Sequence, residues 1–157
     1  MENLKHIVIR NATIIDKDSP YHNKKKDILI EDGLIKKIDK KISLQSPFFE
    51  TKINNLHISP GWFDLHARLG EPGYEQRETI QSGLKEAAKG GFTGILVMPS
   101  TNPPIQSKTD IHFLTKKAQN NIVELFPSGC ITKDCAQKEI TEMFDMHTNG
   151  ALAFTDD

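Results

Sequence analysis

The sequence lacks several features that would place it in a class at once. No apolar run approaches the roughly 20 residues of a membrane-spanning helix. Residues 1–16 alternate in polarity and carry charges, which is not typical of a signal peptide. The net charge is −1 and the lysines are spread along the chain, so nothing indicates a nucleic-acid partner. We therefore expect a cytoplasmic protein that binds neither membrane nor nucleic acid.

Cysteine is scarce as well. The two cysteines, Cys130 and Cys135, have neither CxxC spacing nor a neighbouring histidine. In the expected compartment we predict free thiols rather than metal ligands or a disulfide. The sequence also has no GxGxxG after its first strand, which weighs against a dinucleotide-binding sheet.

The apolar pattern divides the chain at about residue 58. Residues 1–58 contain short β-rich segments: a β-branched run at 6–15 and two apolar runs within 27–39. Asp32 and Gly33 join the latter two, and Asp-Gly between such runs predicts a hairpin because both turn residues need positive φ. This all-β part is not expected to complete a core alone.

Residues 59–157 alternate between strands and helices. Strands are predicted at 57–67, 92–99, 122–129 and 151–157, and helices at 75–91, 107–121 and 138–150. Thr109 or Asp110 is predicted to cap the second helix. Repeated β-α units imply parallel strands with right-handed crossovers, as in a barrel or an open doubly wound sheet. A (β/α)8 barrel needs about 250 residues, so four strands would supply its first half.

Polar residues gather where these strands end, which is where α/β folds place their chemistry. The strand ends carry Asp64, His66 and Arg68; residues 99–104; residues 128–129; and Asp156 and Asp157.

Residues two apart on a strand point the same way, so His66 and residue 68 are placed to bind one object. Histidines at both positions would suit a divalent metal, but Arg68 stays protonated and has no lone pair to donate. From the residues alone, other interpretations stay open. His66 could be a hydrogen-bonded strand-end histidine, the two terminal aspartates a turn or helix cap, and residues 99–104 a proline-rich turn.

The longest run of motifs is "SPGWFDLHARLGEPGYEQRETIQSGLKEAAKGGFTGILVMPSTNPP", followed by "GALAFTDD". These segments resemble the dihydroorotases of the amidohydrolase superfamily, and most closely the class whose metal bridge is an aspartate. The resemblance implies an α/β fold. Residues 59–157 would form the first half of a metal-dependent (β/α)8 barrel, and residues 1–58 part of a small β-sandwich domain. It also implies zinc as the cofactor and reversible ring closure of N-carbamoyl-aspartate to dihydroorotate in pyrimidine synthesis.

Carried over residue by residue, the resemblance is mixed. The family's metal-binding H-x-H pair falls on His66 and Arg68, so one ligand is kept and one is replaced. The family's bridging aspartate falls on Asp157. Two substrate-binding positions are altered, because the family's arginine falls on Gly70 and its asparagine on Ser100. The positions that match are Asp64, Glu71, Pro72 and Gly73.

The three changes all oppose the family's reaction, so we expect weak or absent hydrolysis. The catalytic aspartate and remaining ligands of the family are expected after residue 157, in the absent second half of the barrel. One alternative is an active amidohydrolase that holds one metal through His66. Another is a noncatalytic homologue that stabilises the assembly of aspartate carbamoyltransferase. We further hypothesise that Arg68 replaces the missing metal electrostatically by pairing with Asp157, and with Asp64.

Overall fold

A computed structural model describes residues 6–45 and 48–157. The chain divides into two compact units, Met1–Pro60 and Gly61–Asp157. The first unit consists of β-strands, and the second alternates strands with helices. No helix in the described ranges is both long and apolar enough to cross a membrane.

The first unit is a five-stranded sheet. Its strands are β1 (His6–Ile14), β2 (Lys25–Glu31), β3 (Leu34–Asp39), β4 (Phe49–Thr51) and β5 (His57–Ile58). The order is β3-β2-β1-β4, and β5 also pairs with β1. Strands β1, β2 and β3 are antiparallel neighbours, whereas β4 and β5 run parallel to β1. The predicted hairpin is confirmed, because Asp32 and Gly33 have φ of 49° and 79°.

A small apolar cluster and one buried ion pair hold this sheet together. Val8, Leu29 and Ile42 form the buried cluster. The buried carboxylate of Asp27 accepts hydrogen bonds from Arg10 at 2.7 Å and from the backbone N–H of Ile42 at 3.0 Å. These contacts fix the segment after β3 against the first two strands.

The second unit is built on a four-stranded parallel sheet. Its strands are β6 (Trp62–Ala67), β7 (Phe92–Val97), β8 (Glu124–Gly129) and β9 (Ala153–Phe154), and its helices are α1 (Ile80–Lys89), α2 (Lys108–Lys117) and α3 (Met143–Thr148). The strands lie in the order β6-β7-β8-β9, each parallel to the next. This order confirms the predicted succession of β/α units, as in the first half of a (β/α)8 barrel.

One face of this sheet packs against the helices. The helical spacing of Ile80 and Leu84 on α1, and of Ile111 and Leu114 on α2, correctly predicts that these side chains are buried. They pack on Ile95, Val97 and Leu125 of the sheet. On the other face, the rings of Phe63 and Phe126 lie 5.3 Å apart across Gly94. A side chain at Gly94 would collide with Phe63, so the glycine permits this ring contact.

Two predicted elements have different bounds in the structure. The strand predicted at 57–67 is two strands, β5 and β6, which belong to different units, because Pro60 has no N–H with which to continue a ladder. Helix α1 begins at Ile80 rather than at 75. The hydroxyl of its N-cap Thr79 accepts the Ser82 backbone N–H, and the Thr79 backbone N–H donates to the Ser82 hydroxyl, which completes a capping box.

The second and third helices also differ from prediction. Helix α2 is capped by Ser107, and Asp110 completes the capping box instead of serving as the cap. Helix α3 covers only Met143–Thr148 rather than 138–150, because the residues before it make other contacts. Ile140 forms a β-bridge with Thr132, and the Thr141 hydroxyl donates to the Cys130 carbonyl at 2.7 Å.

The prediction of two free thiols is wrong. Cys130 and Cys135 form a disulfide, with Cα atoms 5.7 Å apart. Cys130 directly follows β8, and Cys135 lies at the end of a short 3-10 turn over Lys133–Cys135. The turn reverses the chain within five residues and brings the two side chains together, which the spacing alone does not reveal.

Candidate active site

The carboxylate of Asp157 is the centre of a cluster at the carboxyl ends of the parallel strands. Its Oδ1 accepts a hydrogen bond from Arg68 Nη2 at 2.6 Å, and its Oδ2 accepts one from Ser100 Oγ at 2.7 Å. The Asp157 side chain is only 9% exposed, whereas that of Arg68 is 64% exposed. His66 Nε2 lies 3.6 Å from the same Oδ1 atom. Residues that follow or end β6, β7 and β9 therefore meet at one point.

These neighbours stabilise the ionised form of Asp157. The hydrogen bond from Ser100 lowers the pKa of Asp157, burial opposes that effect, and Arg68 and His66 lower the pKa further. The carboxylate is consequently anionic at neutral pH, and its charge is balanced by a guanidinium that belongs to the chain itself.

One of the residues at this cluster cannot serve as a zinc ligand. Arg68 donates to the Oδ1 atom of Asp157, and its guanidinium has no lone pair with which to bind a cation. Among the described residues, no further histidine, cysteine or carboxylate places a ligand atom within 4.8 Å of those of both His66 and Asp157. The cluster thus offers a metal two ligand side chains, His66 and Asp157, next to the permanent positive charge of Arg68.

The hypothesised pairing of Arg68 with Asp157 is present in the structure, but its second part is wrong. The Oδ1 atom of Asp64 accepts the backbone N–H of His66 at 2.9 Å instead of binding Arg68. The Asp64 side chain therefore bonds the backbone of its own strand, β6, two residues ahead.

Gly70 falls at the family's arginine position in the predicted motif. Its backbone is enclosed by the carbonyls of Tyr74 and Glu78. Its carbonyl accepts the Tyr74 N–H at 2.7 Å. A Cβ atom built on Gly70 would lie 2.6 Å from the Glu78 carbonyl oxygen and would also collide with that of Tyr74. Position 70 has no room for a larger side chain unless residues 70–78 rearrange.

An open pocket of about 460 Å³ adjoins the cluster. Arg68 and Ser100 line it together with Tyr74 and Arg77, and the Arg77 guanidinium lies 4.8 Å from the centre of the Tyr74 ring. The pocket therefore carries two guanidinium groups and two hydroxyls, and the carboxylate of Glu78 is also part of its lining. The sequence prediction missed Tyr74 and Arg77 because it began the helix at 75. The signal that could have found them is the Thr79-x-x-Ser82 capping pair.

The matched motif residues have structural contacts. The buried Glu71 carboxylate accepts the Ile80 N–H at 3.0 Å, at the first turn of α1, and binds Lys117 of α2 at 2.8 Å. This hydrogen bond raises the pKa of Lys117. Gly73 has φ of 90°, and a side chain there would collide with the backbone of Asn102. Glu71 and Gly73 thus fix the loop after β6 against its neighbours.

Two further strand-end predictions do not join the cluster. Asp156 accepts the Thr132 N–H at 2.9 Å and the Thr132 hydroxyl at 2.7 Å, and these bonds lower the pKa of Asp156. Ser128 is buried and donates to the Val97 carbonyl at 2.6 Å. Both therefore connect neighbouring segments of backbone, and Asp157 alone of the terminal pair faces Arg68.

The four parallel strands and their connecting helices define the class of this unit, which is the first half of a (β/α)8-type barrel. Among solved structures, the chain is similar to L-hydantoinase (dihydropyrimidinase) from Arthrobacter aurescens, with a TM-score of 0.69 and 23% identity. That match covers 94% of this chain and 32% of the other, and it supports the fold.

The sequence comparisons narrow the class to a family. The dihydro-orotase-like family model matches residues 56–157. Curated relatives named dihydroorotase include one from Caldanaerobacter subterraneus, 40% identical over 152 residues. Another, from Aquifex aeolicus, is 37% identical over 153 residues. Each match covers 96% of this chain. The chain therefore belongs to the dihydroorotase-like family.

The chain is much shorter than these relatives. It spans 35% of the Caldanaerobacter protein and 36% of the Aquifex protein, or about a third of their length. Members of this family usually bind zinc.

Proposed function

We propose that this chain belongs to a dihydroorotase-like protein of pyrimidine biosynthesis in which hydrolysis of the cyclic amide is weak or absent. The observation that carries the proposal is the ion pair between Arg68 and Asp157, 2.6 Å long. It places a permanent cation on the carboxylate that aligns with the family's bridging ligand.

Electrostatics support a loss of metal affinity at this cluster. Two unit charges of like sign about 4 Å apart repel by about 4 kcal/mol at an effective dielectric of 20, and a dication beside a guanidinium repels more strongly. A metal would have to displace Arg68 from Asp157 and then remain next to it. Because Arg68 is mostly exposed, solvent screening reduces both the cost of displacing it and the repulsion that remains.

Substrate recognition would be weakened in the same region. Gly70 cannot supply the bidentate contact that an arginine makes to a carboxylate. Ser100 has a shorter side chain than asparagine, and its hydroxyl already donates to Asp157. Arg77 also lines the pocket, and its guanidinium lies over the Tyr74 ring.

The test compares Arg68→His, which restores the family's ligand, with Arg68→Gln, which removes the charge without adding a ligand. Zinc per chain is measured by mass spectrometry, and dihydroorotate hydrolysis by loss of its absorbance. We expect little zinc and no turnover above background in the unaltered protein. We also expect a gain of zinc in Arg68→His that Arg68→Gln does not reproduce. Stoichiometric zinc with turnover in the unaltered protein would contradict the proposal. Gly70→Arg is omitted because the backbone at 70 excludes it.

The second candidate function is a noncatalytic partner of aspartate carbamoyltransferase. The observation that favours it is the contrast between the retained contacts of Glu71 and Gly73 and the altered residues around Asp157. A protein selected only for its shape would keep the former and not the latter. Co-purification with the carbamoyltransferase, together with a loss of that assembly when the protein is removed, supports this role. Independent behaviour of the two proteins would exclude it.

A further inference from the structure

A second group of metal-ligating side chains lies in the loop after β8. The Sγ atoms of Cys130 and Cys135 and a carboxylate oxygen of Asp156 are all within 4.8 Å of one another. Cys130 is fully buried, and Cys135 and Asp156 are partly buried. These three residues are not the family ligands His66 and Asp157, so they form a separate cluster, here called the cysteine-loop cluster.

The backbone positions both sulfur atoms independently of the bond between them. The Cys130 N–H donates to the Ile105 carbonyl at 2.7 Å, and the Thr141 hydroxyl donates to the Cys130 carbonyl. The Cys135 N–H donates to the Thr132 carbonyl at 3.0 Å and closes the turn. We therefore expect the two side chains to stay close together after the disulfide is reduced.

The carboxylate of Asp156 keeps capacity for a further ligand. Each of its oxygens accepts one hydrogen bond from Thr132. A carboxylate oxygen has two lone pairs, so one remains on each. The same Thr132 hydroxyl accepts the Gln137 N–H at 2.8 Å, which fixes the loop around Asp156.

We propose that the cysteine-loop cluster binds one thiophilic divalent cation, such as zinc, when the disulfide is reduced. A dithiol reductant supplies two electrons and two protons: the Cys130–Cys135 bond breaks, two thiols form and the reductant becomes a disulfide. The cation then displaces the two thiol protons to solvent. Two thiolates and one carboxylate occupy three positions of a tetrahedron, and water takes the fourth. In a reducing compartment the dithiol is the prevailing form of such a pair.

Cobalt(II) is the probe, because thiolate ligation gives it a charge-transfer absorption that nitrogen and oxygen ligands do not. The chain is reduced with a phosphine, freed of reductant without oxygen, and shown by thiol titration to carry two thiols. We expect one cobalt per chain with a thiolate band, and no such band in the oxidised chain. His66→Ala should leave the band unchanged, which separates this cluster from the family position.

Substitutions assign the ligands. Cys135→Ser should abolish the two-thiolate spectrum, and Asp156→Asn should weaken binding by roughly tenfold or more while the thiolate band remains. Asp134→Asn is the matched control, because Asp134 lies in the same turn but bonds Gln106 and not the cluster. Far-ultraviolet circular dichroism verifies that each variant is folded.

The result that overturns the proposal needs no variant: a reduced, folded chain that shows no thiolate band with cobalt. Retention of the full spectrum in Cys135→Ser would overturn it equally. Unchanged affinity in Asp156→Asn would remove the carboxylate from the ligand set and refute the three-residue site. None of these outcomes depends on whether the protein hydrolyses dihydroorotate.

Discussion

Two regions of the α/β unit carry the motifs of the dihydroorotase-like family, and they differ in what their side chains contact. Glu71 and Gly73 are enclosed and fix the loop after β6 to neighbouring backbone and to α2. Arg68, Ser100 and Asp157 lie at the open ends of the strands and bind one another. The enclosed residues match the family, and two of the three open ones do not. Enclosure alone does not decide which positions match, because Gly70 is enclosed as well and departs from the family motif.

Among substitutions in the two regions, Gly73→Ala is expected to lower the free energy of unfolding the most. The substitution forces a side chain into positive φ, which costs about 1–2 kcal/mol, and against the Asn102 backbone, which costs about 1–3 kcal/mol more. We expect the free energy of unfolding to fall by about 3 kcal/mol in urea titrations.

Gly150→Ala is the matched control for that measurement. Gly150 has φ of 107°, and its Cβ would meet no atom within 4 Å, so only the backbone strain applies. Equal losses of stability in the two variants would show that the contact between Gly73 and Asn102 is not enforced in solution.

A smaller effect is expected from Glu71→Gln. The change removes the charge from a buried group that caps α1 and binds Lys117, and hydrogen bonds to charged groups contribute about 1.5–3 kcal/mol. We expect a loss of about 2 kcal/mol in the free energy of unfolding, measured by thermal and urea denaturation.

Glu86→Gln provides the comparison for Glu71, because Glu86 forms an exposed i,i+3 pair with Lys89 on the same helix. Exposed pairs contribute about 0–1 kcal/mol, so this variant should resemble the unaltered chain. If Glu86→Gln destabilised the chain as much as Glu71→Gln, burial of the carboxylate would not explain the difference.

The smallest effect on stability is expected for the cluster of Arg68, Ser100 and Asp157. There the pKa of Asp157 is a more sensitive measure than the free energy of unfolding. The pKa of Asp157 is lowered from its ordinary value of 3.8, first by Ser100 and then by Arg68. The stability that these contacts provide is therefore full above that value and is lost as the pH falls through the lowered pKa. Ser100→Ala and Arg68→Gln should each raise the pKa of Asp157 toward 3.8, as measured by carboxyl-carbon NMR titration.

Asp156 serves as the internal reference in the same titration. Its pKa is lowered by Thr132 and not by Ser100 or Arg68, so it should be unchanged in both variants. Because Arg68 is 64% exposed, Arg68→Gln should alter the free energy of unfolding by less than about 1 kcal/mol. If the pKa of Asp156 shifted as much as that of Asp157, the substitutions would have loosened the strand ends in general rather than removed one contact.

The sequence predicts the order of elements and the buried helix faces well, because both depend on local periodicity. Leu84 and Leu114 lie in the core as their spacing requires. The ends of the helices are harder to predict, because the start of α1 depends on side-chain hydrogen bonds at Thr79 rather than on the spacing of apolar residues. The division of the predicted strand at Pro60 is signalled by the Pro60-Gly61 dipeptide, which is typical of a turn and which the prediction of a single strand did not use.

The meeting of Arg68, Ser100 and Asp157 could be expected, because the carboxyl ends of parallel strands lie at one edge of the sheet. Which atom each side chain bonds could not be predicted from the sequence. Ser128 also lies at a strand end, yet it is buried and bonds the Val97 carbonyl. Adjacent aspartates have different partners, Thr132 for one and Arg68 for the other, because successive residues point to opposite sides.

The glycine at 70 couples its own side-chain space to the shape of the turn over residues 70–78. Its backbone is closed over by the Tyr74 and Glu78 carbonyls, so a side chain can be introduced at position 70 only together with a change in that turn. An engineered arginine at this position would therefore require the turn to be redesigned first, and Gly70→Arg alone is expected to destabilise the chain rather than to supply a carboxylate-binding group.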